Sequence, residues 1–166
     1  MPRVSTTFDL DAVEWRHFAD PTCTEFKIDY EYSLLGYDVA AGRLDMLLRY
    51  GKGNGHCRRH RHVALTVTLV LEGEQHLTEI LPDGTRKAIL RRKGEYALAQ
   101  ADALPHLEHG GEHGGTVILS MSAPDGILFE YFDDAMNSTN ILTIQDFVDA
   151  WNAGVVHGTQ APPKAA

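Results

Sequence analysis

Two histidines one residue apart, His60 and His62, are the side chains of this sequence best suited to carry chemistry. On a β-strand, residues i and i+2 point to the same side, so the two imidazoles can lie next to each other. That spacing suits two adjacent ligands of one metal ion, and imidazole binds Fe, Zn, Ni and Cu. A HisXaaHis pair by itself is a weak signal, because an exposed surface pair has the same spacing. The residues around the pair therefore decide its interpretation.

The residues that follow the pair favour an enclosed position. Continuing the alternation of a strand puts Ala64, Thr66, Thr68 and Val70 on the histidine side, and Leu65, Val67, Leu69 and Leu71 on the other. Both sets are largely apolar, which is typical of a strand covered on both sides. Buried imidazoles need partners, and a metal ion is an effective one. The pattern predicts that His60 and His62 face an enclosed interior.

The elements that must position these histidines are short strands. Gly and Pro punctuate the middle of the chain, and between them lie runs rich in β-branched and aromatic residues, at 43–50, 63–71, 76–81, 87–90, 116–122 and 127–132. Short strands with turn signals about every 8–12 residues indicate a sandwich or a closed barrel. Pro82-Asp83-Gly84 has the composition of a tight turn, so we expect a hairpin that pairs 74–81 with 85–90. Glu72 and Gly73 are expected in a turn after the 63–71 strand.

One helix is predicted near the end of the chain. Thr143 can cap it, and the carboxylate of Asp146 suits the positive end of the helix in its first turn. An apolar stripe at helical spacing follows, made of Ile144, Phe147, Val148 and Trp151. Gly154 is a suitable residue to end the helix. Residues 155–166 have too little apolar content to order themselves, and we expect a flexible tail there.

Around the histidine pair the sequence resembles the cupin superfamily. In the first cupin motif a glycine-bearing loop precedes HisXaaHis and a glycine follows it; the loop at 51–55, His60, His62 and Gly73 match this order. The second motif starts with GlyAsp and ends in a histidine, and here it runs from Gly94-Glu95 to His106, twelve positions on. The resemblance covers roughly residues 43–132.

The resemblance implies an all-β fold, a double-stranded β-helix or jelly-roll cupin barrel with a C-terminal helix. It implies one domain over residues 1–154, with the barrel core at about 43–132, followed by the flexible tail at 155–166. Cupins commonly pair through sheet edges, and an exposed edge favours covering, so a homodimer is expected.

The resemblance also implies a set of metal ligands. The position of the first-motif glutamate is Thr66 here, and threonine is a poor metal ligand, so a site of three histidines is expected. His106 is the predicted third ligand and His109 the alternative, because Gln100-Ala101-Asp102 stands where the second motif has ProXaaGly. Two further histidines are interpreted as loop residues, His56 and His113.

A cupin site with three histidines and no glutamate resembles the small dioxygenase-like cupins, namely the acetylacetone and 2,4'-dihydroxyacetophenone dioxygenases. Those enzymes cleave a C–C bond of diketones or hydroxyaryl ketones with Fe(II) and O2. The resemblance implies one divalent metal ion, with Fe(II) favoured and Zn, Ni or Mn as alternatives, a small carbonyl substrate, and O2. Two other functions stay open: a non-catalytic cupin that senses a metal or small ligand, and a metal-free isomerase or epimerase whose histidines act as acid–base groups.

Several further side chains are candidates for lining the cavity or its mouth: Thr66, Arg49, Tyr96 and Tyr131, together with Arg58, Tyr50 and Glu130. An arginine would suit an anionic or enolate substrate. The alternative for each is an ordinary role on the barrel surface or in its core. The thiolate of Cys57 could bind a soft metal, with a buried inert thiol as the alternative.

Composition limits the remaining classes. A chain of 166 residues with 43% apolar residues fits one globular domain. It has no apolar run long enough to span a membrane, its first fifteen residues lack the apolar stretch typical of a secretory signal, and it has only two cysteines. We therefore expect a cytoplasmic protein without a membrane partner. A net charge of −8 argues against a general nucleic-acid binder.

Overall fold

Eleven strands and one helix make up residues 4–154, the part of the chain that this computed structural model describes. They are β1 (Arg16–Asp20), β2 (Ile28–Asp38), β3 (Arg43–Tyr50), β4 (His60–His62), β5 (Leu65–Ile80), β6 (Arg86–Arg92), β7 (Tyr96–Ala99), β8 (His106–His109), β9 (Gly115–Ser122), β10 (Ile127–Phe132), β11 (Ser138–Thr143) and α1 (Ile144–Asn152). The predicted flexible tail at 155–166 lies outside the described residues.

Antiparallel pairing joins these strands into one curled sheet. Its order is β1-β2-β3-β9-β5-β8-β4-β10-β11, and β6 and β7 pair with β5 beside this path. Buried apolar side chains of the strands and of the helix form one core cluster. This architecture confirms the predicted all-β fold with a C-terminal helix. Within the described residues, no helix is both long and apolar enough to cross a bilayer.

Alternation along β3 shows how the sequence builds the barrel interior. Leu44, Met46 and Leu48 are buried, whereas Arg43 and Arg49, on the other side of the strand, stay partly exposed. Burying one such set of aliphatic side chains on each strand is the main force that holds the two sides of the curled sheet together.

The longest strand, β5, corrects the prediction of a turn at Glu72 and Gly73. Both residues lie inside this 16-residue strand. A register shift between Val70 and Glu72 bends it, and Gly73 has a positive φ of 63°. A Cβ atom at Gly73 would lie 2.5 Å from the carbonyl oxygen of Gly114, so glycine allows the two strands to approach. The bend lets β5 pair with β9 along its first half and with β8 along its second.

The predicted hairpin is present, with Glu74 to Ile80 paired to Arg86 to Arg92. The covering of β5 differs from the prediction. Its inward residues Thr66, Thr68 and Val70 are buried, but the alternate leucines and Val67 are only half-buried, so the outer side of this strand is not fully covered.

The predicted helix is confirmed, and its first turn is fixed by a capping box. The Thr143 side chain accepts a hydrogen bond from the backbone N–H of Asp146, whose carboxylate accepts one from the backbone N–H of Thr143. The predicted stripe is buried. Phe147 and Trp151 pack on the ring of Tyr32, with ring centroids 5.3 and 5.8 Å away, which seals the helix against β2.

Candidate metal centre

Three histidines from two neighbouring strands meet inside the barrel. His60 and His62 share one side of β4, and His60 lies directly opposite His106 of β8 in the ladder between the two strands. All three are buried, and one ring nitrogen of each lies within 4.8 Å of the others. The arrangement brings together the three residues that the sequence predicted as ligands.

Backbone carbonyls fix the orientation of two of these rings. Nδ1 of His60 lies 2.7 Å from the carbonyl oxygen of Arg58, and Nδ1 of His106 lies 3.0 Å from that of Leu104. A carbonyl oxygen can only accept, so Nδ1 carries the hydrogen in both rings. In the neutral imidazole, Nε2 then carries the lone pair that a metal ion needs.

Thr66 fixes the orientation of the third ring, again through a hydrogen bond to Nδ1. Nδ1 of His62 lies 2.8 Å from the hydroxyl oxygen of Thr66, which is itself 3.0 Å from the carbonyl oxygen of Ala64. The single hydroxyl hydrogen is donated to that carbonyl, so the hydroxyl must accept the Nδ1 hydrogen of His62. Thr66, predicted as a cavity residue, therefore acts on the site by orienting His62 rather than by facing the cavity.

The electrostatics of the cluster favour uncharged imidazoles. Burial, and then the proximity of His106, lower the pKa of His60 to about 4. Burial and the two neighbouring rings lower the pKa of His62 well below its usual value. Nε2 of His106 is buried and has no hydrogen-bond partner among residues 4–154. Neutral imidazole is the form that binds metals, so the donor set fits a divalent ion.

A buried carboxylate, Glu108, lies beside the cluster and was missed by the sequence analysis. Its side chain is 3% exposed, and its oxygens lie 3.9 Å from Nε2 of His60 and 3.8 Å from Nε2 of His106. Burial raises the pKa of Glu108, but attraction to these two imidazoles and hydrogen bonds from Cys57 and Tyr50 outweigh it, so the pKa lies below its usual value. Glu108 could supply a fourth donor or counter the charge of a bound cation.

A chain of hydrogen bonds holds Glu108 in place. The amide Nε2 of Gln75 donates to a carboxylate oxygen of Glu108 at 3.2 Å and to the hydroxyl of Tyr50 at 3.0 Å. The amide oxygen of Gln75 accepts from Arg91 at 2.9 Å. Burial raises the pKa of the Cys57 thiol, which agrees with the inert thiol considered from the sequence.

A cavity of about 40 Å³ adjoins the cluster. His60 and Glu108 lie on one wall, and Arg58 and Tyr131 add polar groups to the lining. The ring centroid of Tyr131 is 5.8 Å from that of His60. The rest of the lining is mostly apolar or aromatic and includes Tyr30, Tyr32, Met46, Leu48, Leu119, Phe129 and Phe147. Such a lining suits a small ligand that is bound by a few polar contacts.

Two of the predicted cavity residues lie elsewhere, which corrects the prediction. Arg49 points outward from β3, donates to Glu31 at 2.7 Å and lies over the ring of Trp15 at 4.0 Å. Tyr96 is 62% exposed on β7. Glu130, considered for the cavity mouth, instead accepts a hydrogen bond from Arg61 at 2.6 Å.

His109, the alternative third ligand, lies outside the cluster. Its ring stacks between those of His56 and His76, at centroid distances of 4.4 and 4.7 Å, and its Nδ1 accepts from the backbone N–H of Gly111. His113, interpreted as a loop residue, follows β8 in the segment before β9. Of the two alternatives, His106 is therefore the one that the fold brings to His60 and His62.

Comparison with known proteins identifies the fold. The sequence matches no protein-family model and no curated protein. A Methylibium petroleiphilum PM1 protein proposed to be an acetylacetone dioxygenase is 15% identical, with a TM-score of 0.64 over 89% of this chain and 94% of that chain. An acetylacetone dioxygenase from Acinetobacter johnsonii is 12% identical, with a TM-score of 0.61 over 81% and 85%. An RmlC-like cupin protein from Ralstonia eutropha JMP134 is 14% identical, with a TM-score of 0.62 over 90% and 89%.

These similarities establish the fold, a cupin-type β-barrel, which is the fold that the resemblance of the motifs predicted. Inside the barrel the chain carries three buried histidines that could hold a metal ion.

Proposed function

We propose that this protein binds one divalent metal ion through His60, His62 and His106, with Fe(II) favoured and Zn, Ni or Mn as alternatives. The observation that carries the proposal is the convergence of one ring nitrogen from each of three buried histidines. Nδ1 of every ring is hydrogen-bonded elsewhere, which leaves Nε2 as the donor to a metal. Buried lone pairs without a partner are unfavourable, and a cation between them satisfies all three. The nearby carboxylate of Glu108 adds to the attraction for a cation.

We further propose that the protein is an enzyme that cleaves a C–C bond of a small carbonyl compound with O2. When bound, the metal ion would act as a Lewis acid toward the carbonyl oxygen and as an electron donor to O2. One oxygen atom goes to each carbon of the broken bond, so the substrate supplies all the electrons and no outside reductant is needed. The two dioxygenase-named structures of similar fold support this reaction class.

The side chains around the cavity would bind the substrate, orient it and exclude water. Met46 and Phe129 provide apolar walls. The hydroxyl of Tyr131 and the guanidinium of Arg58 can orient a carbonyl oxygen. The small volume of the cavity, about 40 Å³, favours small diketones over the larger hydroxyaryl ketones.

Metal analysis tests the binding proposal. Protein prepared without oxygen and reconstituted with Fe(II) should retain one ion per chain. His106→Ala should lose this ion, whereas His109→Ala, on the same strand but outside the cluster, should keep it. A chain that binds no metal while its histidines are intact would contradict the proposal and favour the metal-free isomerase.

Oxygen uptake tests the reaction. The iron-loaded protein should consume O2 in the presence of a panel of small carbonyl compounds. Absence of uptake with every compound, while iron remains bound, would contradict the oxygenase and favour the sensing cupin. The predicted homodimer stays a prediction, and light scattering of the purified protein checks it.

A further inference from the structure

Arg58 occupies a special position next to the metal centre. It lies two residues before His60, and its carbonyl oxygen accepts the hydrogen bond from Nδ1 of that histidine. Its side chain lines the same cavity as His60 and Glu108. The cavity thus has a guanidinium close to the wall that carries the candidate metal ligands.

An ion pair and an aromatic ring hold the guanidinium group of Arg58 in place. Its Nη2 donates to a carboxylate oxygen of Asp20 at 2.9 Å, and its Cζ atom lies 5.0 Å from the centroid of the Phe18 ring. The side chain as a whole is 25% exposed, but its Nε is fully buried and has no hydrogen-bond partner within residues 4–154. The guanidinium of this cavity-lining residue therefore carries a buried N–H donor that no group among residues 4–154 uses.

Two phenols extend this polar corner of the cavity. Tyr30 and Tyr131 line the cavity together with Arg58, and the charge of Arg58 acts on both hydroxyls. A phenol hydroxyl can donate a hydrogen bond, so both residues add donors to the lining. One guanidinium N–H and two hydroxyls form a set of donors that suits an anionic oxygen group.

We propose that the substrate carries a carboxylate and that Arg58 binds this group through its Nε–H, with the carbonyl or hydroxyl of the same molecule toward His60. The small volume of the cavity, about 40 Å³, favours a short oxo- or hydroxycarboxylate. This inference rests on the proposed function, because it names the substrate class of the same site. Asp20 engages only Nη2, so the Nε–H stays available to the ligand.

The test compares two probes of equal size on zinc-loaded protein, which binds ligands without turnover. Pyruvate and 2,3-butanedione differ by a carboxylate oxygen in place of a methyl group. Isothermal titration calorimetry should show that the wild type binds pyruvate at least about tenfold more tightly than butanedione. Arg58→Gln should lose this preference, and Arg58→Lys should retain only part of it, because an ammonium group cannot reproduce the Nε–H geometry.

Arg61→Gln is the matched control. Arg61 belongs to the same basic segment, but it pairs with Glu130 and Asp102 away from the cavity, so its replacement should leave the preference for pyruvate unchanged. Equal binding of the two probes by the wild type, or a preference that survives in Arg58→Gln, overturns the inference. Zinc stoichiometry is measured first in every variant. Loss of zinc from the wild type contradicts the proposed function, whereas zinc bound without a preference for carboxylate contradicts only the role of Arg58.

Discussion

Replacing Thr66 by valine removes the hydroxyl that orients His62 while leaving the side-chain volume almost unchanged. Thr66 is 0% exposed, so no water molecule can readily take the place of the hydroxyl. The variant leaves two buried groups without a partner, the Nδ1 hydrogen of His62 and the carbonyl oxygen of Ala64. The His62 ring can then turn or shift its hydrogen to Nε2, and either change removes a ligand atom from the metal.

The expected magnitude follows from the loss of that single contact. A hydrogen bond to the second nitrogen of a metal-bound histidine contributes about 10- to 100-fold to metal affinity, which is about 1.4 to 2.7 kcal/mol. Because the bond measures 2.8 Å and is fully buried, we expect Thr66→Val to weaken binding toward the upper end of this range. Competition with a chromophoric chelator gives the dissociation constant for Zn²⁺ directly.

Thr68→Val is the matched control. Thr68 is the next inward-facing threonine on β5 and is 5% exposed, but it makes no hydrogen bond to any histidine among the described residues. Its replacement should leave the affinity for Zn²⁺ within about twofold of the wild type, because no histidine loses a hydrogen-bond partner in this variant. Equal affinities of the two variants would refute the reasoning that Thr66 acts through the orientation of His62.

Three further predictions follow from the same structure. Glu108→Gln keeps the shape of the side chain but removes its charge beside His60 and His106, so the affinity for Zn²⁺ should fall about tenfold or more; an unchanged dissociation constant would exclude Glu108 from the site. Burial lowers the pKa of His60 to about 4, so the folded metal-free protein binds fewer protons than the unfolded chain between pH 6.5 and 4. The free energy of unfolding should keep its full value above pH 6.5 and decrease as the pH falls further, by up to about 1.4 kcal/mol per pH unit for this histidine. Urea unfolding in EDTA at several pH values measures this decrease, and a flat profile would contradict the reasoning. Gly73→Ala should lower the free energy of unfolding by about 1–3 kcal/mol or more. Gly84→Ala, also at a positive φ but with open space around it, should lower it by less. Similar losses of stability in thermal melts of the two variants would contradict the close approach of Gly73 to Gly114.

Local patterns in the sequence were sufficient for the parts of the fold that depend on nearby residues. The capping of α1 by Thr143 and the hairpin around Pro82 are set within a few residues of the chain, and both were predicted correctly. The strand β2 was not predicted, although Tyr30 and Tyr32 alternate with acidic residues along it. Tyrosines are ambiguous in such a pattern, because they occur both inside and outside a barrel, and only the packing against β3 and α1 buries them here.

In the candidate site, too, the residues defined by a local pattern were predicted, and the residue that only strand pairing brings to the site was missed. His60 and His62 were recognised from their spacing, whereas Glu108 was not, because an acidic ligand was sought at the position of Thr66. The ladder between β4 and β8 brings Glu108 to the site, and no local pattern reports that pairing. The alternation of HisLeuGluHis at 106–109 could nevertheless have shown that Glu108 shares the side of His106. For Arg49, its alternation with Met46 and Leu48 would have predicted the outward position that the structure shows.

The bonds that hold the three Nδ1 atoms all lead to groups close in the chain, at Arg58, Thr66 and Leu104, and none of them involves an ion. The three rings are therefore held in position by the protein itself, and the apoprotein has a preformed set of ligand atoms. A rigid trio of nitrogen donors follows the general affinity order of divalent metals, in which Cu²⁺ exceeds both Fe²⁺ and Zn²⁺. The availability of each metal during expression therefore decides which ion occupies the site. Protein produced in zinc-rich or iron-rich medium should contain the metal that was abundant.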